Sequence, residues 1–115
     1  MPFMSVLVPE ELYEGLEKDS LKKAMSEIMA RQLGKPESYC MVSISGASLM
    51  MAGGTRPAAF VDIRSIGGLA ASVNKSISSE VCFLLSSHLD ISKDRIYINF
   101  TDTHPTNWGW NGGTF

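Results

Sequence analysis

The chain of 115 residues carries 10 Lys and Arg against 12 Asp and Glu, a net charge of −2, with 44% hydrophobic and 19% charged residues. That length fits one domain, 1–115, and the composition excludes a disordered or collagen-like chain. A balanced charge argues against a nucleic-acid partner, which needs clustered Lys and Arg, and no apolar run approaches the roughly 18 residues of a membrane span.

Phe3 to Val8 reads as a short strand ended by Pro9. The acidic stretch Glu10 to Lys18, with Gly15, reads as a loop or weak turn, and Asp19-Ser20 as the N-cap of a helix. Leu21, Ala24, Met25, Ile28, Met29 and Leu33 then recur at helical spacing, and Gly34 supplies the stop. Lys35-Pro36 breaks the helix, and Tyr39 to Ile44 predicts a second strand. Ser45 to Pro57, rich in glycine and holding Leu49-Met50-Met51, predicts a loop with an apolar patch.

Ala58 to Ile63 returns to strand character, and Ser65-Ile66-Gly67-Gly68 is a glycine turn into a second helix. That helix carries a stripe of Val73, Ile77, Val81, Leu84, Leu85 and Leu89. Arg95 to Thr101 makes the last strand, with Ile96, Ile98 and Phe100 on one face and Arg95, Tyr97 and Asn99 on the other. The order is β-α-β-β-α-β, an α+β arrangement of two helices on a four-stranded sheet. Strands 39–44 and 58–63 are apolar nearly throughout, which predicts that both sheet faces are covered and hence a homo-oligomer.

Cys40 and Cys82 sit in apolar stretches without a CxxC motif, so they read as two buried thiols. His88 and His104 have no ligand spacing, and no metal is expected. The first residues lack the basic start and apolar stretch of a signal peptide, so the cytoplasm is the expected compartment.

The candidate chemistry begins at Met1-Pro2. A small second residue permits removal of the initiator Met, and by itself it need mean no more. A free N-terminal proline, however, is a secondary amine whose lone pair accepts a proton. An ordinary α-amine titrates at about 7.7–8.0, so a useful base at neutral pH needs desolvation and a nearby ammonium. Lys35 is such a cation, although a Lys after a helix also fits the helix dipole alone. Tyr97 and Asn99 form a polar lining or a merely exposed face. The segment Trp108-Gly109-Trp110-Asn111-Gly112-Gly113-Thr114-Phe115 is poor material for a free tail, because exposed aromatic area is costly. It is expected to be tied down over a pocket or against another subunit.

Met1-Pro2, Gly34-Lys35-Pro36, Ser65-Ile66-Gly67-Gly68, Asp94-Arg95-Ile96-Tyr97-Ile98-Asn99 and Trp108-Gly109-Trp110-Asn111-Gly112 together resemble the macrophage migration inhibitory factor and D-dopachrome tautomerase family, over Pro2 to Phe115. The resemblance implies a homotrimer with active sites between subunits. It also implies keto–enol tautomerisation of phenylpyruvate-type and dopachrome-type substrates without a cofactor. By motif, Pro2 is the catalytic base and Lys35 binds the substrate carboxylate or keto oxygen. Ile66 and, from the neighbouring subunit, Asn99 hold the substrate. Tyr97 and Trp108 close an aromatic wall, with Tyr39 at the lip.

Three departures bear on these expectations. The third strand has Pro57-Ala58-Ala59-Phe60-Val61 where some animal members carry a cysteine pair, so no CxxC-based thiol reductase activity is expected. Trp108 stands where several animal members have a smaller residue, which narrows the pocket. The acidic loop Pro9 to Lys18 and the uncharged turn Gly46-Ala47-Ser48 differ from the surfaces of animal cytokine members. The partners implied are a small aromatic keto acid, further copies of the chain and, for a cytokine-type alternative with a vestigial pocket, a cell-surface receptor reached by export without a signal peptide. A third reading is an oligomer that binds an aromatic metabolite without turnover.

Overall fold

The computed structural model describes residues 1–115. Strand β1 (Phe3–Pro9) leads through a single-turn helix α1 (Glu10–Tyr13) into α2 (Lys18–Leu33). Strands β2 (Met41–Ala47) and β3 (Ala59–Ser65) come next, then α3 (Ala71–Leu89) and β4 (Ile96–Asp102). A C-terminal hairpin of β5 (Gly109–Trp110) and β6 (Gly113–Thr114) ends the chain. The main sheet is mixed, in the order β2-β1-β3-β4: β1 runs parallel to β2 and antiparallel to β3, and β3 runs parallel to β4. The α+β class and its β-α-β-β-α-β order are as the sequence predicts.

The core holds 18 buried residues, built where two periodicities meet. Met4, Val6 and Val8 alternate inward from β1, and Ala59, Val61 and Ile63 do so from β3. Leu21, Met25, Ile28, Met29 and Leu33 face them from α2, with Ile77, Val81, Leu85 and Leu89 from α3. Gly34 ends α2 at φ 65°, ψ 35°, the left-handed cap that glycine adopts without steric cost. Gly68 is needed for a different reason. Its φ is +79°, and a Cβ there would stand 3.0 Å from the carbonyl oxygen of Leu33, so the turn after β3 rests directly on the end of α2.

Several boundaries differ from those expected. The acidic stretch after Pro9 is partly helical: Glu10 and Glu11 occupy the first turn of α1, where carboxylates suit the helix dipole. Gly46 admits this turn, since a Cβ there would lie 3.2 Å from Glu10 Cα and Tyr13 Cβ. Helix α2 begins at Lys18, with Glu17 rather than Asp19-Ser20 at its cap; Asp19 lies in the first turn and pairs with Lys22 at 3.3 Å. Tyr39 is not in a strand. It closes a 3-10 turn, Glu37–Tyr39, in which Tyr39 N–H donates to Pro36 O and Cys40 N–H to Glu37 O.

Arg95 does not share a strand face with Tyr97 and Asn99. It ends a 3-10 turn, is 5% exposed, and donates to the carbonyls of Gly54, Arg56 and Pro57, fastening the glycine-rich loop to the start of β4. The two thiols are half-buried rather than buried. Only one sheet face is covered in the protomer; the other exposes Met41, Phe60 and Tyr97.

The two long helices are linked by a charged junction. Arg31 grips both carboxylate oxygens of Glu80, at 2.7 and 3.1 Å, and Gln32 donates to the same carboxylate. The hydrogen bonds from Arg31 and Gln32 lower the Glu80 pKa below its ordinary value. A carboxylate with a lowered folded pKa contributes stability above its unfolded pKa and loses it as pH falls through the folded one. Glu80→Gln is therefore expected to lower the urea midpoint at pH 7. The deficit should close below the carboxylate range; an equal deficit at pH 7 and pH 3 would exclude an ionic origin.

Candidate active site

Central position in the sheet fixes the start of the chain. Pro2 is buried, and its carbonyl accepts a hydrogen bond of 3.0 Å from Met41 N–H. The antiparallel register, Phe3 opposite Arg64, brings Pro2 opposite Ser65, one residue before Ile66. A cavity of about 280 Å³ opens here, lined mainly by apolar groups that include Pro2, Tyr39, Cys40, Trp108, Trp110 and Phe115.

Its wall comes from the C-terminal segment. His104 accepts from Thr106 N–H and starts the 3-10 turn Pro105–Asn107 that delivers Trp108. Phe115 N–H donates to Trp108 O at 3.1 Å, closing the hairpin. Trp110 and Phe115 stack at 5.3 Å with an interplanar angle of 16°. Tyr39 meets both edge-on, at 5.7 and 6.1 Å. Of the two placements expected for this segment, the protomer shows it closing over the Pro2 cavity. The 3-10 turn matters for this: by leaving the sheet, Tyr39 swings to the cavity mouth.

The terminal amine of Met1 lies at the same place and donates to Tyr39 O at 2.8 Å. Burial lowers its pKa, the Cys40 thiol opposes this, and the Lys35 ammonium adds a further downward push. Lys35 comes just after the α2 cap, with its N–H on Ala30 O at 3.2 Å. Its charge is thus felt at the head of β1. Ile66 sits in a turn braced on two sides: Ser65 Oγ donates to Gly67 O at 2.7 Å, and Gly67 N–H donates to Asp102 at 2.9 Å.

Tyr97 and Asn99 are elsewhere. They lie on the edge strand β4, two strands from β1, opposite Phe60 and Asp62 and hence level with Leu7 and Ser5. Strand spacings place their backbones on the order of 15–20 Å from Pro2. Tyr97 instead borders a separate apolar hollow of about 280 Å³ with Leu49, Met50, Met51 and Phe60. One protomer therefore brings Pro2, Tyr39 and Trp108 together in the cavity lining, which Lys35, Ile66, Tyr97 and Asn99 do not join; Lys35 acts there only through its charge on the Met1 amine. Cys40 and Met41 belong to no motif that marks them as cavity residues; their place shortly after the Lys35-Pro36 break is the one signal that could. Trp110 and Phe115 stand out in the sequence only as part of an aromatic tail.

A larger hollow, about 520 Å³, lies beside α1 and is lined by Glu10, Glu11, Tyr13, Glu14 and Gly46. It is shallow and acidic, and it lacks the apolar walls of the Pro2 cavity.

The family profile for macrophage migration inhibitory factor (MIF) matches residues 1–115. The chain belongs to the macrophage migration inhibitory factor family. It is 41% identical over 103 residues to the macrophage migration inhibitory factor homolog of Trichuris trichiura, covering 89% of this chain and 90% of that one. It is 40% identical over 92 residues to the macrophage migration inhibitory factor of Mus musculus, covering 79% and 80%. The fold superposes on the crystal structure of the Prochlorococcus marinus homologue with a TM-score of 0.89 at 36% identity, over 98% of each chain. The Toxoplasma gondii protein gives 0.91 at 32% identity, over 98% and 99%. Membership supports a function of tautomerase or cytokine type.

The aromatic contacts make the hairpin's attachment measurable. Aromatic pairs contribute about 0.5–1.5 kcal/mol each beyond area burial, so removing both Tyr39 contacts loosens the hairpin by roughly 1–2 kcal/mol. Tyr39→Ala is expected to speed amide exchange at the hydrogen-bonded residues of 109–115 about tenfold, with core amides unmoved. Unchanged exchange there would show that the hairpin is held by other contacts.

Proposed function

We propose that the chain is a cofactor-independent keto–enol tautomerase of phenylpyruvate-type and dopachrome-type substrates, with the amine of Pro2 as base once Met1 is removed. The observation that carries the reading is the burial of Pro2 at the head of the central strand, in an aromatic-walled cavity within the field of Lys35. While Met1 is attached, the Pro2 nitrogen is an amide without a basic lone pair.

Freed, it becomes a secondary amine in surroundings that lower an amine's pKa by burial and by a neighbouring ammonium. The neutral amine takes a proton from the carbon beside the keto group. The C–H electrons form the carbon–carbon double bond, and the carbonyl electrons move to oxygen, which takes up a proton to give the enol. Lys35 holds the carboxylate or keto oxygen and stabilises the charge that gathers there. Ile66 borders the reacting end, and Tyr39 and Trp108 flank the ring.

Asn99 and Tyr97, too far from Pro2 within one protomer, come to the site from a neighbouring copy in a homotrimer. Neither metal nor organic cofactor has a part in this reaction. The chain is proposed to work in the cytoplasm; no helix is long and apolar enough to cross a membrane. The cytokine-type reading, with a cell-surface receptor as partner, rests on family membership alone.

Loss of a general base costs about 10²–10⁴-fold in rate. Protein whose intact mass shows Met1 retained, with the Pro2 nitrogen blocked as an amide, should give a kcat for phenylpyruvate at least about a hundredfold below that of the processed chain in an ultraviolet assay. Turnover equal to that of the processed chain would remove Pro2 from the role of base.

A further inference from the structure

Beside the Pro2 cavity lies a second hollow of about 290 Å³, which the proposed reaction does not use. It is lined by Phe3, Arg64, Thr103, Asn107, Trp108 and Gly109. Phe3, Trp108 and Gly109 line both spaces, so the two hollows meet along a shared ridge whose largest member is the Trp108 indole.

The chemistry on the two sides of this ridge differs. The Pro2 side is mainly apolar and aromatic, whereas the far side presents a guanidinium, a hydroxyl and a carboxamide. Arg64 is held in place by Asp62: its Nε and Nη2 both donate to the same carboxylate oxygen, at 3.2 and 2.9 Å. That contact leaves Nη1 without a protein partner on a side chain that is more than half exposed, in a residue whose cross-strand neighbour is Phe3. The side chains of Thr103 and Asn107 make no hydrogen bond within the protein either. Thr103 is nonetheless fixed by its backbone, through a bond of 2.9 Å to Ser65 O, and Asn107 by one of 2.8 Å to His104 O. Three polar side chains with hydrogen-bonding capacity to spare therefore line a space that adjoins the Pro2 cavity.

We propose that this hollow is an anion subsite and that the chain prefers aromatic keto acids carrying a second anionic group at the far end of the ring. The proposal rests on the tautomerase reading for the reaction itself. Lys35 takes the carboxylate at the reacting end. The ring lies along Trp108, and a distal carboxylate crosses the ridge to Arg64 Nη1, with Thr103 and Asn107 donating to its second oxygen. Asp62 works against this binding, because it neutralises part of the guanidinium charge while holding it in position.

The test compares phenylpyruvate with 4-carboxyphenylpyruvate on the Met1-processed protein in its solution oligomer. An exposed charge-assisted contact is expected to favour the dianion by about five- to tenfold in kcat/KM, with the advantage shrinking as salt rises. Arg64→Gln should bring the ratio to about one, and Asp62→Asn should raise it. The opposite signs keep the test decisive if one variant fails to fold. Equal kcat/KM for the two acids in the unaltered chain, or a preference that survives Arg64→Gln, would overturn the subsite and leave the tautomerase reading standing. Calorimetry with the unreactive pair phenylacetate and 4-carboxyphenylacetate reads the subsite without turnover. Tighter binding of the diacid, lost in Arg64→Gln, would support it even if neither keto acid reacted, and that outcome would sink the tautomerase reading instead.

Discussion

The double pairing of β1 governs where everything else in the molecule can lie. All seven of its residues pair on one edge with Met41–Ala47 and five, Phe3–Leu7, pair on the other with β3, and Met4, Val6 and Val8 are wholly buried beneath the helices. Each such side chain contributes about 1.5–3 kcal/mol on burial. A strand held this way cannot fray from the sheet, so the residue before it is immobilised as well. Chain termini are ordinarily the loosest part of a domain. Here Pro2 is carried into the interior, and its carbonyl is bonded to β2. Pro2 becomes a positioned residue because a central strand begins one residue later.

The opposite end of the chain supplies what the strand cannot. A cavity beside Pro2 needs walls, and the elements around it are short turns rather than sheet. Tyr39 is turned out of the β2 line by the 3-10 turn after Pro36, and Trp110 and Phe115 are brought to it by the terminal hairpin. Three parts of the sequence, near residues 2, 39 and 108–115, meet only because Lys35-Pro36 stops α2 at the same end of the sheet where β1 begins. Gly68, whose added Cβ would crowd Leu33 O, keeps the Ser65–Gly68 turn at that end too. The site is thus a consequence of where helices stop as much as of which residues are present.

The same dependence on element ends separates what is legible in the sequence from what is not. The two long helices are legible because Leu21 to Leu33 and Val73 to Leu89 repeat apolar residues at 3.6-residue spacing, a pattern that burial against the sheet enforces. Strand order is legible in outline, since short apolar runs separated by helices admit few arrangements. The strand ends are not. Tyr39 and Cys40 look like strand residues by type, yet hydrogen bonds to Pro36 O and Glu37 O outcompete the ladder. Arg95 alternates with Tyr97 and Asn99 in the sequence, but three backbone carbonyls left by the glycine-rich loop draw its guanidinium inward. Pro2 and Lys35 stand out by motif and resemblance; composition alone passes over both.

The open sheet face bears on the proposed assembly. Cross-strand register sets Ser43, Ser5, Asp62 and Asn99 in one polar row. The rows to either side carry Leu7, Phe60 and Tyr97, and Met41, Phe3, Arg64 and Thr101. Such a face is apolar along the Leu7, Phe60 and Tyr97 margin and too polar along its middle to be a core. The Leu7, Phe60 and Tyr97 border is the one offered to other copies in the proposed homotrimer. In the proposed homotrimer the contact that matters is unlike on its two sides: the β4 edge bearing Tyr97 and Asn99 meets the Pro2 end of the next copy. A head-to-tail contact of this kind cannot pair two molecules symmetrically and satisfy both. It either runs on as a fibre or closes into a ring, and closure completes every site at once. On that proposal, the separation of Tyr97 from Pro2 within one chain leaves Tyr97 free to serve the next copy's site.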